Sequence, residues 1–168
     1  MFSKAVRAEA EKVIQTLRAR GEMLVTAESC TAGLVAAALT TVPGSSDVVH
    51  GGFVTYANVA KTRMLGVPAR VIGDYGAVSS QCAHAMADGA RSKARSDVAV
   101  AITGIAGPGG ATDKKPVGLV HFAVSTAAGT STLEKRFGDI GRDKVREDSV
   151  LVALQMILST LVEQAEQQ

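Results

Sequence analysis

The stretch Asp97-Val98-Ala99-Val100-Ala101-Ile102-Thr103, followed at once by Gly104-Ile105-Ala106-Gly107-Pro108-Gly109-Gly110, decides how this chain is organised. Residues 97–103 are apolar almost without a break, the pattern of a central strand covered on both faces of its sheet by helices. Met23 to Ala27 is a second short apolar run, and it ends in Glu28-Ser29-Cys30-Thr31 before Leu34 to Leu39 read as a helix that stops ahead of Pro43-Gly44. Gly52-Phe53-Val54-Thr55-Tyr56 reads as a third strand, leading to a short helix with Lys61, Met64 and Leu65 and then the turn Gly66-Val67-Pro68. Ser79 or Ser80 caps a further helix toward Arg95, whose Ala83, Ala87 and Ala90 let a neighbour approach closely.

The ends of the chain complete the pattern. From Lys4 to Arg20, Val6, Val13, Ile14 and Leu17 recur at helical spacing, and Gly21 supplies the stop. Gly118 to Thr126 and Ser131 to Phe137 alternate as two strands joined around Ala128-Gly129, an antiparallel pair. Arg142 to about Glu166 carries Val145, Val152, Leu154, Ile157, Leu158 and Leu161 on one broad stripe and closes the fold as a long helix. Helices alternating with strands predict a three-layer α/β/α sandwich with a mixed, mostly parallel sheet.

Composition sets the bounds. The 168 residues are 46% hydrophobic and 20% charged, with 17 Gly and four Pro, which is one ordinary globular domain over residues 1–168. A chain this long hides about 70% of the surface that its unfolded form exposes and needs no disulfide or metal to be stable. With 18 Lys plus Arg against 16 Asp plus Glu the net charge is +2, too balanced to predict nucleic-acid or anionic-membrane binding, though a small anionic ligand fits. Trp is absent and only 4% of residues are aromatic, so a base-stacking platform is not expected. Cys30 and Cys82 lie far apart, and His50, His84 and His121 show no ligand spacing, so we expect reduced thiols, no metal and a cytoplasmic protein. No run approaches the roughly 18 apolar residues of a membrane span.

Three groups of residues have chemistry to offer. Thr26-Ala27-Glu28-Ser29-Cys30-Thr31-Ala32-Gly33 puts a carboxylate, hydroxyls and a thiol where a strand gives way to a helix, facing the crevice beyond the strand ends. Ser29 or Thr31 either caps that helix or does chemistry, and Cys30 is either a small core residue or a nucleophile. A serine needs a base, and no histidine here has a partner motif; a lysine with a lowered pKa is the substitute, which singles out Lys61, close after Tyr56 and Asn58. The alternative is a solvated Lys61 and a core Tyr56. The Gly-rich loop after the central strand either lets backbone N–H groups approach a phosphate or sugar or is a turn-rich connection needing positive φ, and its spacing is neither the dinucleotide fingerprint nor a Walker A loop. Arg142 and Arg146, one helical turn apart, reach a phosphate or pair with Asp139 and Asp143.

Taken together, Thr26-Ala27-Glu28-Ser29-Cys30-Thr31, then Gly52-Phe53-Val54-Thr55-Tyr56-Ala57-Asn58 with Lys61, then Thr103-Gly104-Ile105-Ala106-Gly107-Pro108-Gly109-Gly110, closely resemble the CinA C-terminal domain family. The resemblance covers nearly the whole chain, including Gly141-Arg142 to Val145-Arg146, and implies a stand-alone form of a domain that longer members join to a molybdopterin-binding-like one. It implies a nicotinamide-nucleotide amidase, converting nicotinamide mononucleotide and water to nicotinate mononucleotide and ammonia without a cofactor, and a homo-oligomer. By position it puts the serine nucleophile on Ser29, the catalytic lysine on Lys61 and the active-site tyrosine on Tyr56. Similarity also puts Ser46 and Thr103 near the substrate, with Thr103 or neighbouring N–H groups as oxyanion partners; Thr31, Gly33, Gly104, Gly107 and Arg142 are further expected substrate contacts, and N–H groups at the start of the helix after Ser29 are expected donors to the oxyanion. Where the family pattern has two glycines after the Ser-Cys-Thr triplet, this sequence has Ala32-Gly33, which narrows backbone freedom. Three other readings compete: a different hydrolase on the same scaffold with Cys30 as nucleophile, a non-catalytic nucleotide-binding or regulatory module in which Ser29 only caps, and a structural domain acting through its Ala-rich helix in an oligomer.

Overall fold

A computed structural model describes residues 1–166. The chain runs α1 (Lys4–Arg20), β1 (Leu24–Glu28), α2 (Leu34–Leu39), a 3-10 turn (Ser45–Asp47), β2 (Val49–Val54), α3 (Asn58–Leu65), α4 (Ala69–Tyr75), α5 (Ser80–Ala94), β3 (Val98–Gly104), β4 (Leu119–Thr126), β5 (Gly129–Arg136) and α6 (Arg142–Glu166). The five strands form one sheet in the order β2-β1-β3-β4-β5. β1 pairs parallel with β2 and β3, and β4 pairs antiparallel with β3 and β5. Four strands therefore share one direction and β4 alone opposes them, giving the expected mixed sandwich.

Pleating assigns the two faces. Leu24, Val100, Ile102, Val120, Phe122 and Val124 point to a core shared with α1, α2 and α6. Val25, Ala27, Ala99, Ala101 and Ala123 point the other way, to α5 and the end of α3. This second face is built of small residues, and Ala83, Ala87 and Ala90 of α5 are fully buried against it. The alanine stripe thus lets α5 lie close on its own sheet, which overturns the reading of that helix as an exposed association surface.

Local signals explain most boundaries. Ser3 caps α1 by accepting from the Val6 N–H, and Gly21 ends it at φ 64°. Ser79, not Ser80, caps α5, accepting from the Cys82 N–H at 3.1 Å. β2 begins earlier than its sequence pattern indicates and ends at Val54, so Tyr56 falls in the turn into α3. The short α4 was missed because it has no buried residue and hence no apolar period to read.

The order β2-β1-β3 is what creates the crevice. From β1 the chain leaves in one direction to β2 and from β2 it crosses back to β3, so the loops after the carboxyl ends of these strands part beside β1. Because β5 runs with β1 and β3, its end brings the start of α6 to the same side of the sheet.

Candidate active site

Ser29 follows β1 directly and continues its ladder, its N–H donating to the Ile102 carbonyl at 2.9 Å. The next residues make a tight turn in which Ala32 is held at φ 48° and Gly33 at φ 97°, so the one position where alanine replaces the family glycine is left-handed. α2 then starts without a hydroxyl cap. The buried Glu28 carboxylate takes that role, accepting from the N–H groups of Gly33 and Val35 at 3.0 Å and of Ala36 at 2.9 Å. Ser29 and Thr31 are therefore not the helix cap, and the amides expected to serve an oxyanion are occupied by Glu28. Glu28 stands in the segment read from sequence, but its partners are backbone amides five to eight residues on, and only the observed turn brings them within reach.

Lys61 reaches the same point from α3. Its aliphatic stem is buried with Leu65 under that helix, leaving the residue 1% exposed. Nζ lies 3.0 Å from Ser29 Oγ, 2.9 Å from the Thr55 carbonyl oxygen and 3.4 Å from that of Tyr56. Burial lowers the Lys61 pKa, since the charged form loses its water and gains no carboxylate in return. This excludes the solvated surface lysine. Cys30, beside Ser29 in the cavity wall, is the opposite case: burial pushes its thiol up to about 12, which holds it as the neutral thiol and disfavours the thiolate that a cysteine nucleophile needs.

A cavity of about 250 Å³ opens over the pair, walled by Tyr56, Thr103, Gly104, Gly107 and Arg142 among others. Thr103 donates its hydroxyl to the Ala77 carbonyl at 2.8 Å, tying β3 to the segment before α5. Gly104 packs against β4 so closely that a Cβ there would meet the Leu119 carbonyl oxygen at 2.8 Å. Arg142 spans the mouth, donating to the Gly107 carbonyl at 2.9 Å and to the Tyr56 hydroxyl at 3.0 Å. Tyr56 is 58% exposed and so is no core residue. Neither Arg142 nor Arg146 takes Asp139 or Asp143; Arg146 donates to the carbonyls of Cys30 and Thr31.

Three residues expected to contact substrate do not line this cavity. Thr31 is completely buried beneath its turn and does not line the cavity. Gly33 spends its N–H on Glu28. Ser46 sits in the 3-10 turn ahead of β2, at the amino ends of the parallel strands and thus at the far end of the sheet from Ser29. Sequence reasoning in turn missed Asn58, Ala77 and Val78 as cavity walls. Ala77 and Val78 carry no distinguishing chemistry and are placed only by the packing of α5 on the sheet. Among the described residues no cluster of three His, Cys, Asp or Glu side chains could hold a metal ion, and no helix is long and apolar enough to cross a membrane.

Fold and site define an α/β sandwich protein with a buried serine–lysine pair at the carboxyl ends of its central strands. The chain belongs to the CinA C-terminal domain family, which matches residues 6–161. It is 53% identical to a CinA-like protein of Synechococcus sp. (strain RCC307) over 149 residues, 88% of this chain and 36% of that protein. A CinA-like protein of Parasynechococcus marenigrum (strain WH8102) is 47% identical, with 93% of this chain and 38% of that one covered. The chain thus spans little more than a third of the curated relatives it matches. Among solved structures, the competence/damage inducible protein CihA from Agrobacterium tumefaciens superposes with a TM-score of 0.93 at 48% identity, covering 95% of this chain and 97% of the other.

Proposed function

We propose that this chain is an amidohydrolase that converts nicotinamide mononucleotide and water to nicotinate mononucleotide and ammonia through a Ser29 acyl-enzyme with Lys61 as base. The observation that carries this reading is the 3.0 Å contact between Lys61 Nζ and Ser29 Oγ within a buried pocket. A neutral amine has two N–H bonds and one lone pair. The carbonyls of Thr55 and Tyr56 can only accept, so they take the two N–H bonds, and the lone pair is left for the Ser29 hydroxyl proton.

Ser29 Oγ attacks the carboxamide carbon as its proton passes to Lys61, and the resulting ammonium returns that proton to the departing nitrogen. Ammonia leaves. Water, deprotonated in turn by Lys61, then hydrolyses the nicotinoyl ester and frees Ser29. The pyridinium charge of the substrate favours neutral Lys61. The ligand's phosphate is met by Arg142 and by amides of the Gly-rich loop, which supports selection of an anion by a nearly neutral chain. The scheme calls on no metal or cofactor, and the choice of this substrate among amides rests on the family resemblance.

Ammonia release from nicotinamide mononucleotide by the wild type, Ser29→Ala and Lys61→Ala, with chelator present, tests the reading. Turnover is expected in the wild type and a fall of at least about a hundredfold in each folded variant. Activity should also fall as pH drops through the lowered Lys61 pKa. Turnover surviving Ser29→Ala would refute the nucleophile; nucleotide binding with no turnover in any form would favour the non-catalytic module.

A further inference from the structure

Arg146 is a charged group with no part in the proton transfers between Ser29 and Lys61. It lies one turn into α6 beyond Arg142, yet it does not line the cavity, and no carboxylate lies within ion-pair distance of it among the described residues. Its half-buried guanidinium turns inward, with Nε donating to the Cys30 carbonyl at 3.1 Å and Nη2 to the Thr31 carbonyl at 3.4 Å. Both carbonyls belong to the turn that carries Ser29. That turn is unfavourable in itself, because Ala32 is a non-glycine residue in the left-handed region.

Two charged groups therefore hold the turn from opposite polarities. Glu28 collects the amides that follow it, and Arg146 collects the carbonyls within it. A planar guanidinium does this with two N–H groups at fixed angles, which an ammonium cannot imitate. We propose that Arg146 is a positioning residue for the nucleophile: by fixing the Cys30 and Thr31 peptide planes it keeps Ser29 Oγ directed at Lys61. This rests on the reading of Ser29 as the nucleophile, and the test separates the two.

The full chain and its Arg146→Met, Arg146→Lys and Arg146→Ala variants are treated with an alkyl fluorophosphonate, with Ser29→Ala as control. Ser29 Oγ adds to phosphorus, fluoride leaves and Lys61 takes the hydroxyl proton before passing it to water, so labelling reports nucleophile alignment without any amide substrate. Circular dichroism and thermal melting establish that each variant is folded. Labelling by Arg146→Met and Arg146→Ala is expected to slow by about tenfold to a hundredfold, the rate equivalent of one or two hydrogen bonds from a charged donor. Arg146→Lys should recover only part, and guanidinium chloride at millimolar concentration should speed labelling of Arg146→Ala. In amide turnover the loss should fall on kcat, with KM within about threefold of wild type. Labelling of Arg146→Met at the wild-type rate, or no guanidinium rescue of folded Arg146→Ala, overturns the inference. Absence of Ser29 labelling in the wild type overturns the nucleophile reading itself, and this inference falls with it.

Discussion

Replacing Glu28 by alanine removes, among the described residues, the only acceptor for three amides at the start of α2, those of Gly33, Val35 and Ala36. Hydrogen bonds to a charged acceptor contribute about 1.5–3 kcal/mol each, and a buried donor left without a partner costs about 1–3 kcal/mol. The Val35 amide lies in the core, whereas Gly33 and Ala36 are half-buried and can turn partly to water. Removing the carboxylate also removes its own desolvation cost, so the sum is not simply three bonds. We expect a net loss of about 4 kcal/mol, which at this chain length lowers the melting midpoint by about 8–16 °C. In urea, with a slope of about 2 kcal/mol per molar, the midpoint should fall by about 2 M with the slope unchanged. Glu28→Gln keeps one acceptor oxygen and turns an NH2 group toward the amides, so it should lose about half as much. The assay is equilibrium urea unfolding followed by circular dichroism. A loss below about 1 kcal/mol for alanine, or glutamine as damaging as alanine, would refute the assignment of Glu28 as the cap of α2.

Lys61 gives a pH-dependent companion to that experiment. Its folded pKa lies below the ordinary 10.5 because of burial, so between the two values the unfolded chain holds one more proton than the folded one. Stability from this group is therefore complete above pH 10.5 and lost as pH falls through the folded value. The stability difference between wild type and Lys61→Met should grow with pH across that window by up to about 1.4 kcal/mol per unit; urea unfolding from pH 7 to 10 reads it, and a flat difference would contradict a depressed lysine. Gly89 of α5 tests how Lys61 is aimed. A Cβ there would sit 2.0 Å from the Leu65 carbonyl oxygen, so Gly89→Ala must push α3 outward, and Lys61, one turn before Leu65, moves with it. The variant should lose about 1–3 kcal/mol of stability and also slow Ser29 labelling; a fully active, fully stable Gly89→Ala would show that α3 is free to shift without moving the amine.

The sequence alone settled what periodicity and punctuation can settle. The apolar run at residues 98–102 gave the central strand, the helical stripe from Lys4 to Arg20 gave α1, and the glycine loop after β3 marked where the chain had to turn. It also singled out Ser29, Lys61, Tyr56 and Arg142, because a serine without a histidine partner needs a lysine base and the three motif blocks occur together in the order that resembles the family. Tertiary structure decided what depends on distance between remote segments. Whether Lys61 is solvated or buried turns on how α3 packs against α5, and its contact with Ser29 joins positions 32 residues apart. The capping role of Glu28, the clamp from Arg146 across 116 and 115 residues to Cys30 and Thr31, and the placement of Ser46 at the opposite end of the sheet were equally illegible. Local sequence fixes backbone preference and the side that each element buries, whereas polar contacts between elements are set by strand order, helix depth and the direction of each crossover, which only the folded chain determines.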